Sequence, residues 1–270
     1  MDTNRRNFLK VAGISTLAGL GGTAVVDRLV AGAGIAQASS SATHGPEQAG
    51  AAKSGATRYG MIINIKKFYQ DPGLGDKAVK ACHQVHNVPN FPDKRDEIKW
   101  IWMTKFENAF PERPNLYQDE ASAKNHLPIL CNHCDNPPCV RACPTKATFR
   151  GDDGIVGMDY HRCIGCRFCM AACPYGSRSF NWRDPRPFVA NLNRDYPART
   201  RGVVEKCNFC VERVQVGLLP ACVEAVSDSK ALVFGNLNDP NSEIRKILKE
   251  NHTIQRNPSL GTLPSVFYIV

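Results

Sequence analysis

The stretch that decides the fold is Cys131-Asn132-His133-Cys134-Asp135-Asn136-Pro137-Pro138-Cys139-Val140-Arg141-Ala142-Cys143-Pro144, together with Cys163-Ile164-Gly165-Cys166-Arg167-Phe168-Cys169-Met170-Ala171-Ala172-Cys173-Pro174. It holds eight of the chain's twelve cysteines. The second run has the C-x2-C-x2-C-x3-C-P spacing that holds [4Fe–4S] cubes, and the first has two extra residues in one gap. Three closely spaced thiolates cap three corners of one cube. The fourth, before a proline that turns the chain, reaches the neighbouring cube. The spacing thus pairs Cys131, Cys134 and Cys139 with Cys173 as cluster one. It pairs Cys163, Cys166 and Cys169 with Cys143 as cluster two. Two rival readings are weaker. Zinc sites usually split their ligands into two short pairs across a long gap. A disulfide framework suits short secreted chains, and this one has 270 residues.

The remaining four cysteines follow from an internal repeat. Ala78-Val79-Lys80-Ala81-Cys82, Cys139-Val140-Arg141-Ala142-Cys143, Cys169-Met170-Ala171-Ala172-Cys173 and Cys222-Val223-Glu224-Ala225-Val226 share one form. The two middle copies are complete. The first keeps only its fourth cysteine, Cys82. The last keeps Cys207, Cys210 and Cys222, with Val226 where the fourth belongs. If the outer copies exchange fourth ligands as the middle ones do, Cys207, Cys210, Cys222 and Cys82 form cluster three. The partner cluster has lost every ligand, and its place is expected to be plugged by apolar side chains such as Phe68 and Val226, with Ala78 a second replaced position. The alternative leaves Cys82 a lone buried thiol, a common fate for cysteine, and strands the other three.

The repeat, the Cys207-x2-Cys210-x11-Cys222 run and an N-terminal Asn4-Arg5-Arg6-Asn7-Phe8-Leu9-Lys10 together resemble the periplasmic iron–sulfur subunits of membrane quinone-linked oxidoreductases. Lys80-Ala81-Cys82-His83-Gln84-Val85-His86-Asn87-Val88-Pro89 and Glu97-Ile98-Lys99-Trp100-Ile101-Trp102 narrow this. They resemble the DsrO-type ferredoxin subunit of the Dsr membrane complex of sulfate reducers. The likeness covers roughly residues 57–270, and the missing first-copy cysteines put one of the superfamily's four clusters in doubt. It implies an electron-transfer subunit with no catalytic residues, docked on a polytopic quinone-interacting membrane subunit. A multihaem cytochrome c partner and a place in sulfate or sulfite reduction come with it. The alternative is the electron-transfer subunit of a molybdopterin reductase of polysulfide or tetrathionate type. A zinc-binding interaction module is the reading from another class.

The Arg5-Arg6 segment matches the twin-arginine export signal, which moves folded, cofactor-loaded protein. An apolar run from Val11 to Val26 and Ala36-Gln37-Ala38 before Ser39 complete a signal peptide over 1–38. The run is too short to span a membrane, and no apolar stretch of about 20 residues follows it. The expected location is the periplasm or the outer face of the cytoplasmic membrane. Residues 39–58 read as a flexible linker, 59–126 as the degenerate first repeat and 127–185 as the central two-cluster unit. Residues 186–270 read as a connecting loop, the last repeat and a C-terminal helix and tail.

The formal charge of +9 invites a nucleic-acid reading, which bookkeeping weakens. The signal removes +2, and three cubes at about −2 each bring the loaded mature chain near neutrality. The basic residues are also scattered rather than striped. Asp152-Asp153-Gly154 reads as a hairpin turn. Strands are expected over Met61–Ile65 and Ile98–Met103, and helices over Asp76–His83 and Asn241–Asn251, the last with Ile244, Ile247 and Leu248 on one face. The fold class is therefore α+β: tandem ferredoxin-like repeats with short elements, long loops wrapped around clusters and little core of their own. His83 and His86 are expected to build the local turn or to tune a cluster. His133, His161 and Arg162 are expected at the surface, 180–200 as a surface loop, and Leu218 and Leu219 packed over the third cluster.

Overall fold

The computed structural model describes residues 57–114, 117 and 124–270. The signal peptide and nearly all of the linker lie outside the described residues. The described residues are mixed α/β, with one four-stranded sheet and three two-stranded ribbons among them. Strand β1 (Tyr59–Asn64) lies inside the larger sheet, antiparallel to β8 (Leu232–Asn236) and parallel to β10 (Val266–Ile269). A short β9 (Thr253–Ile254) closes the far edge. Met61, Ile62 and Ile63 are all buried because both faces of β1 are covered, which is why its sequence is a continuous apolar run. Met61 and Ile63 join the main core, while Ile62 packs with Ile244 of helix α8 (Glu243–Glu250) behind the sheet. Gly60 is required here: a Cβ would sit 2.8 Å from the Ser265 carbonyl oxygen and 2.6 Å from Leu237 Cδ1.

Asn64 ends the strand and caps α1 (Ile65–Gln70), its side-chain oxygen accepting from the Lys67 N–H at 3.3 Å. Helix α2 (Gly73–Val85) runs longer than its sequence suggests and buries Leu74, Ala78 and Cys82, one face at four-residue spacing. It stops at Val85, ahead of Pro89. Strand β2 (Ile101–Lys105) begins three residues later than expected and pairs antiparallel with β3 (His126–Leu130), the turn α3 (Phe106–Ala109) between them.

The central segment carries α4 (Pro138–Arg141), the hairpin β4 (Thr148–Arg150) and β5 (Val156–Met158), α5 (Phe168–Ala171), and β6 (Ser179–Phe180) paired with β7 (Val204–Glu205). The one-turn helices α6 (Val211–Val214) and α7 (Ala221–Glu224) follow, α7 packing on α2. Helices α4, α5 and α7 each begin one residue before the third cysteine of their pentapeptide. Each closes with the same bond: Cys143 N–H to the Val140 carbonyl, Cys173 N–H to Met170 and Val226 N–H to Val223, all 3.2 Å. Val226 thus holds the backbone position of a fourth cysteine.

The apolar core is extensive, where little core was expected. Phe68, Ala78, Trp100, Leu130, Val226 and Tyr268 are buried in one continuous cluster that also takes in Cys82, Cys131, Cys207 and Cys222. Phe68, Ala78 and Val226 share that cluster, where an apolar plug was expected. Among the described residues, no helix is long and apolar enough to cross a membrane.

Candidate metal centres

All twelve cysteines are free thiols. Cys131, Cys134, Cys139 and Cys173 line one small cavity, with Tyr175 and Arg178 also on its wall. Burial pushes the Cys134 thiol up to about 12, and the neighbouring Cys131, Cys139 and Cys173 add to the shift. Burial also raises Cys82 well above the usual thiol range, with Cys222, Cys207 and Cys210 reinforcing it. All four are buried, and Cys82 and Cys222, 140 positions apart, lie on the packed helices α2 and α7 and share one core cluster with Cys207. At the third grouping, Cys169 is raised by burial and feels Cys163. Cys143 follows α4, which packs on α5, and Cys166 leads into α5. Cys143, Cys163 and Cys166 are only half-buried. For Cys143 burial raises the thiol, but the Thr148 N–H at 3.5 Å and Thr145 outweigh it and hold the thiol below its usual value.

Buried sulfurs crowded in this way keep their protons unless a cation takes their place, so the donor sets fit thiolate-bound metal centres. The groups also adjoin one another. Cys131 and Cys207 share one buried cluster, and Cys139 and Cys169 share another. The Cys131 group therefore sits between the other two.

The loops are built alike. In the first Cys-x2-Cys step of each run the residue before the second cysteine has left-handed backbone: His133 (φ 41), Gly165 (φ 70) and Phe209 (φ 56). Such a kink turns successive N–H groups to one side, the concave arrangement that cradles anions and Fe–S sites. Only one of the three is glycine, so two carry conformational strain of the kind that persists where surrounding structure enforces it.

That enforcement corrects the surface placement of His133. It is fully buried, stacked on Phe209 at 3.6 Å, and its Nδ1 accepts from the Val156 N–H at 3.1 Å. Burial pushes its pKa well below the usual value, with Lys206 and Arg178 adding. His161 and Arg162 are exposed, as expected. His83 is pushed down to about 4 by burial. His86 is buried against Trp100, ring centroids 4.4 Å apart. Its Nδ1 lies 2.9 Å from the Cys82 carbonyl and its Nε2 2.7 Å from Glu212. Ligating atoms of His86, Cys210 and Glu212 lie within 4.8 Å of one another, so the Cys82 group carries a mixed donor set at its edge.

The 180–200 segment is more than a surface loop. Asn87 donates to the carbonyls of Asn193 (2.8 Å) and Tyr196 (2.6 Å) and accepts from the Asn193 N–H (2.7 Å). Arg199 and Glu205 form a fully buried ion pair at 2.6 Å. Trp100 Nε1–H donates to the same carboxylate at 2.9 Å. These bonds clamp the segment beside Cys82. Leu218 and Leu219, expected over the third centre, are instead half-exposed, because the Arg213 guanidinium holds the Leu219 carbonyl at 2.9 Å and turns the loop outward.

Residues 123–187 match a family model described as a 4Fe-4S dicluster domain. The chain is 44% identical over 230 residues to the Hdr-like menaquinol oxidoreductase iron-sulfur subunit 1 of Archaeoglobus fulgidus, covering 78% of this chain and 82% of the relative. It is 34% identical over 239 residues to the menaquinone reductase iron-sulfur cluster-binding subunit of Nitratidesulfovibrio vulgaris, covering 78% and 88%. It is 40% identical over 170 residues to a tetrathionate reductase subunit of Salmonella typhimurium, covering 60% and 61%.

Proposed function

This chain belongs to the iron–sulfur electron-transfer subunits of quinone-linked oxidoreductases, and on that premise we propose that it carries three [4Fe–4S] clusters in a row. Cluster one is assigned to Cys131, Cys134, Cys139 and Cys173. Cluster two takes Cys163, Cys166, Cys169 and Cys143, and cluster three Cys207, Cys210, Cys222 and Cys82. The observation that carries the count is that Cys82, Cys207 and Cys222 share one buried cluster and that α2, which holds Cys82, packs on α7, which holds Cys222. Degenerate outer copies of one ferredoxin-like repeat explain both that convergence and the matching backbone at Cys143, Cys173 and Val226.

Each bound cube would supply one-electron chemistry, its potential set by burial and hydrogen bonds to its sulfurs. The chain's own residues position the thiolates, exclude water and fix the order two–one–three. Backbone N–H groups reach sulfur at Cys207 (from Phe209, 3.4 Å) and Cys210 (from Ala221, 3.4 Å). With no catalytic residue of its own, the chain relays electrons between a quinone-interacting membrane subunit and a redox partner. We assign that partner to a multihaem cytochrome, in a Dsr-type complex exported by the twin-arginine route. Affinity isolation of the native complex tests this: c-type haem without molybdenum is expected. Molybdenum in stoichiometric amount would replace it with the molybdopterin-reductase reading, which the likeness to the tetrathionate reductase of Salmonella typhimurium favours. Export is tested separately by Arg5→Lys with Arg6→Lys, which should hold the protein in the cytoplasm.

A further inference from the structure

Two buried cations stand at the two junctions between the cysteine groups. Arg178 is 5% exposed, and Lys206 1%. A charge taken out of water is costly unless an opposite charge faces it. Arg199 meets that need with Glu205. Arg256, also buried, spends its charge on the Ala109 carbonyl and the Tyr175 ring. Neither Arg178 nor Lys206 has a carboxylate partner among the described residues. Arg178 Nη2 donates to Cys139 Sγ at 3.1 Å and Nη1 to Thr148 Oγ1 at 3.0 Å. Cys139 packs in one buried cluster with Cys169, so Arg178 stands where clusters one and two adjoin. Lys206 Nζ donates to the Val156 carbonyl and, at 2.6 Å, to the Cys207 carbonyl. Val156 in turn donates its N–H to His133 Nδ1, so Lys206 bridges the Cys207 group and the Cys131 loop.

We propose that Arg178 and Lys206 are the charge-balancing residues of the relay, Arg178 at the junction of clusters two and one, Lys206 at the junction of one and three. The inference rests on the three-cluster reading. An electron arriving from one neighbour and leaving to the next makes and breaks no bond, but it adds one negative charge to a buried, already anionic site. A cation fixed beside the thiolates offsets that charge and favours the reduced form. Because each cation serves two neighbours, it favours the reduced form of both.

The test is a redox titration of the holoprotein followed by electron paramagnetic resonance, with iron counted per chain. Removing the charge in Arg178→Gln should lower the midpoints of clusters one and two at least tenfold in reduced-to-oxidised ratio, about 59 mV for one electron, and leave cluster three unmoved. Lys206→Met should move clusters one and three and spare two. Arg178→Lys and Lys206→Arg, which keep the charge, should restore the midpoints. Unmoved potentials in a fully loaded Arg178→Gln protein would overturn the proposal. If Arg178→Gln loses iron, Arg178→Lys decides: loaded, with unmoved potentials, it supports the charge role. Equal loss in both overturns it in favour of shape alone. A wild-type protein without three cubic clusters would instead sink the underlying reading.

Discussion

Replacing Arg199 with methionine tests how the region around Cys82 is held. The pair it makes with Glu205 is 2.6 Å long, with side chains 1% and 0% exposed. Methionine fills much of the same space but strands a carboxylate in the interior. Breaking a buried pair from one side costs about 3–5 kcal/mol. Trp100 Nε1–H and Asn181 Nδ2–H still hold the carboxylate, at 2.9 and 2.5 Å, which keeps the cost toward the lower end. Against that, the buried carbonyls of His86 and Asn87 lose their Arg199 donors. The expected loss is therefore about 3–4 kcal/mol, or roughly 6–16 °C in Tm for a unit of this size. The assay is loss of the visible thiolate-to-iron absorption on anaerobic heating, with Glu205→Gln added in a double-mutant cycle. The double variant should recover about 2 kcal/mol, because no charge is then left buried and unpaired. A single variant within about 1 kcal/mol of the parent would refute the reasoning. A double variant as damaged as the single would show that the carbonyl bonds, not the charge, hold the clamp.

Cys82→Ser should remove about four irons and leave the spectra of the other clusters intact, with iron analysis as the check. Val226→Cys should add no iron, since Phe68 and Ala78 fill the neighbouring core; a gain of about four irons would contradict the plugged site. Phe68→Ala should cost about 3–5 kcal/mol in denaturant unfolding through the cavity it leaves. Burial raises the Glu212 carboxyl, but hydrogen bonds from His86 and Asn208 outweigh it and hold the carboxyl below its usual value. Its contribution to stability is therefore present above the unfolded value of 4.5 and is lost as pH falls below it. Acid titration of Glu212→Gln should show a flatter profile there.

What the sequence made legible was what local chemistry fixes. The cysteine spacing marked the loops that carry the crowded thiols, Asp152-Asp153-Gly154 located the β4–β5 turn, and the apolar run of β1 announced a strand. Helix α8 follows from Ile244, Ile247 and Leu248 on one face, capped by the Ser242 side chain. The pentapeptide repeat is what suggests, on pattern alone, that Cys82 joins the last repeat's cysteines. What stayed hidden depends on long-range contact. His133 reads as a polar residue between two ligands, and only its stacking on Phe209, at the same step of another loop, buries it. Asn87 and Asn193 lie 106 residues apart, and nothing local to either predicts their bonds. Leu218 and Leu219 mislead because apolar residues beside a ligand suggest packing, while Arg213 turns their loop outward. Arg178 and Lys206 looked like two of the scattered basic residues, and only their burial beside the thiols sets them apart.

The most direct measurement is iron and acid-labile sulfide per chain on anaerobically purified protein, with zinc counted alongside. Three cubes require about twelve irons and about as many sulfides. About eight would mean that only the central eight cysteines bind clusters, and that the meeting of Cys82 with Cys207, Cys210 and Cys222 serves something else.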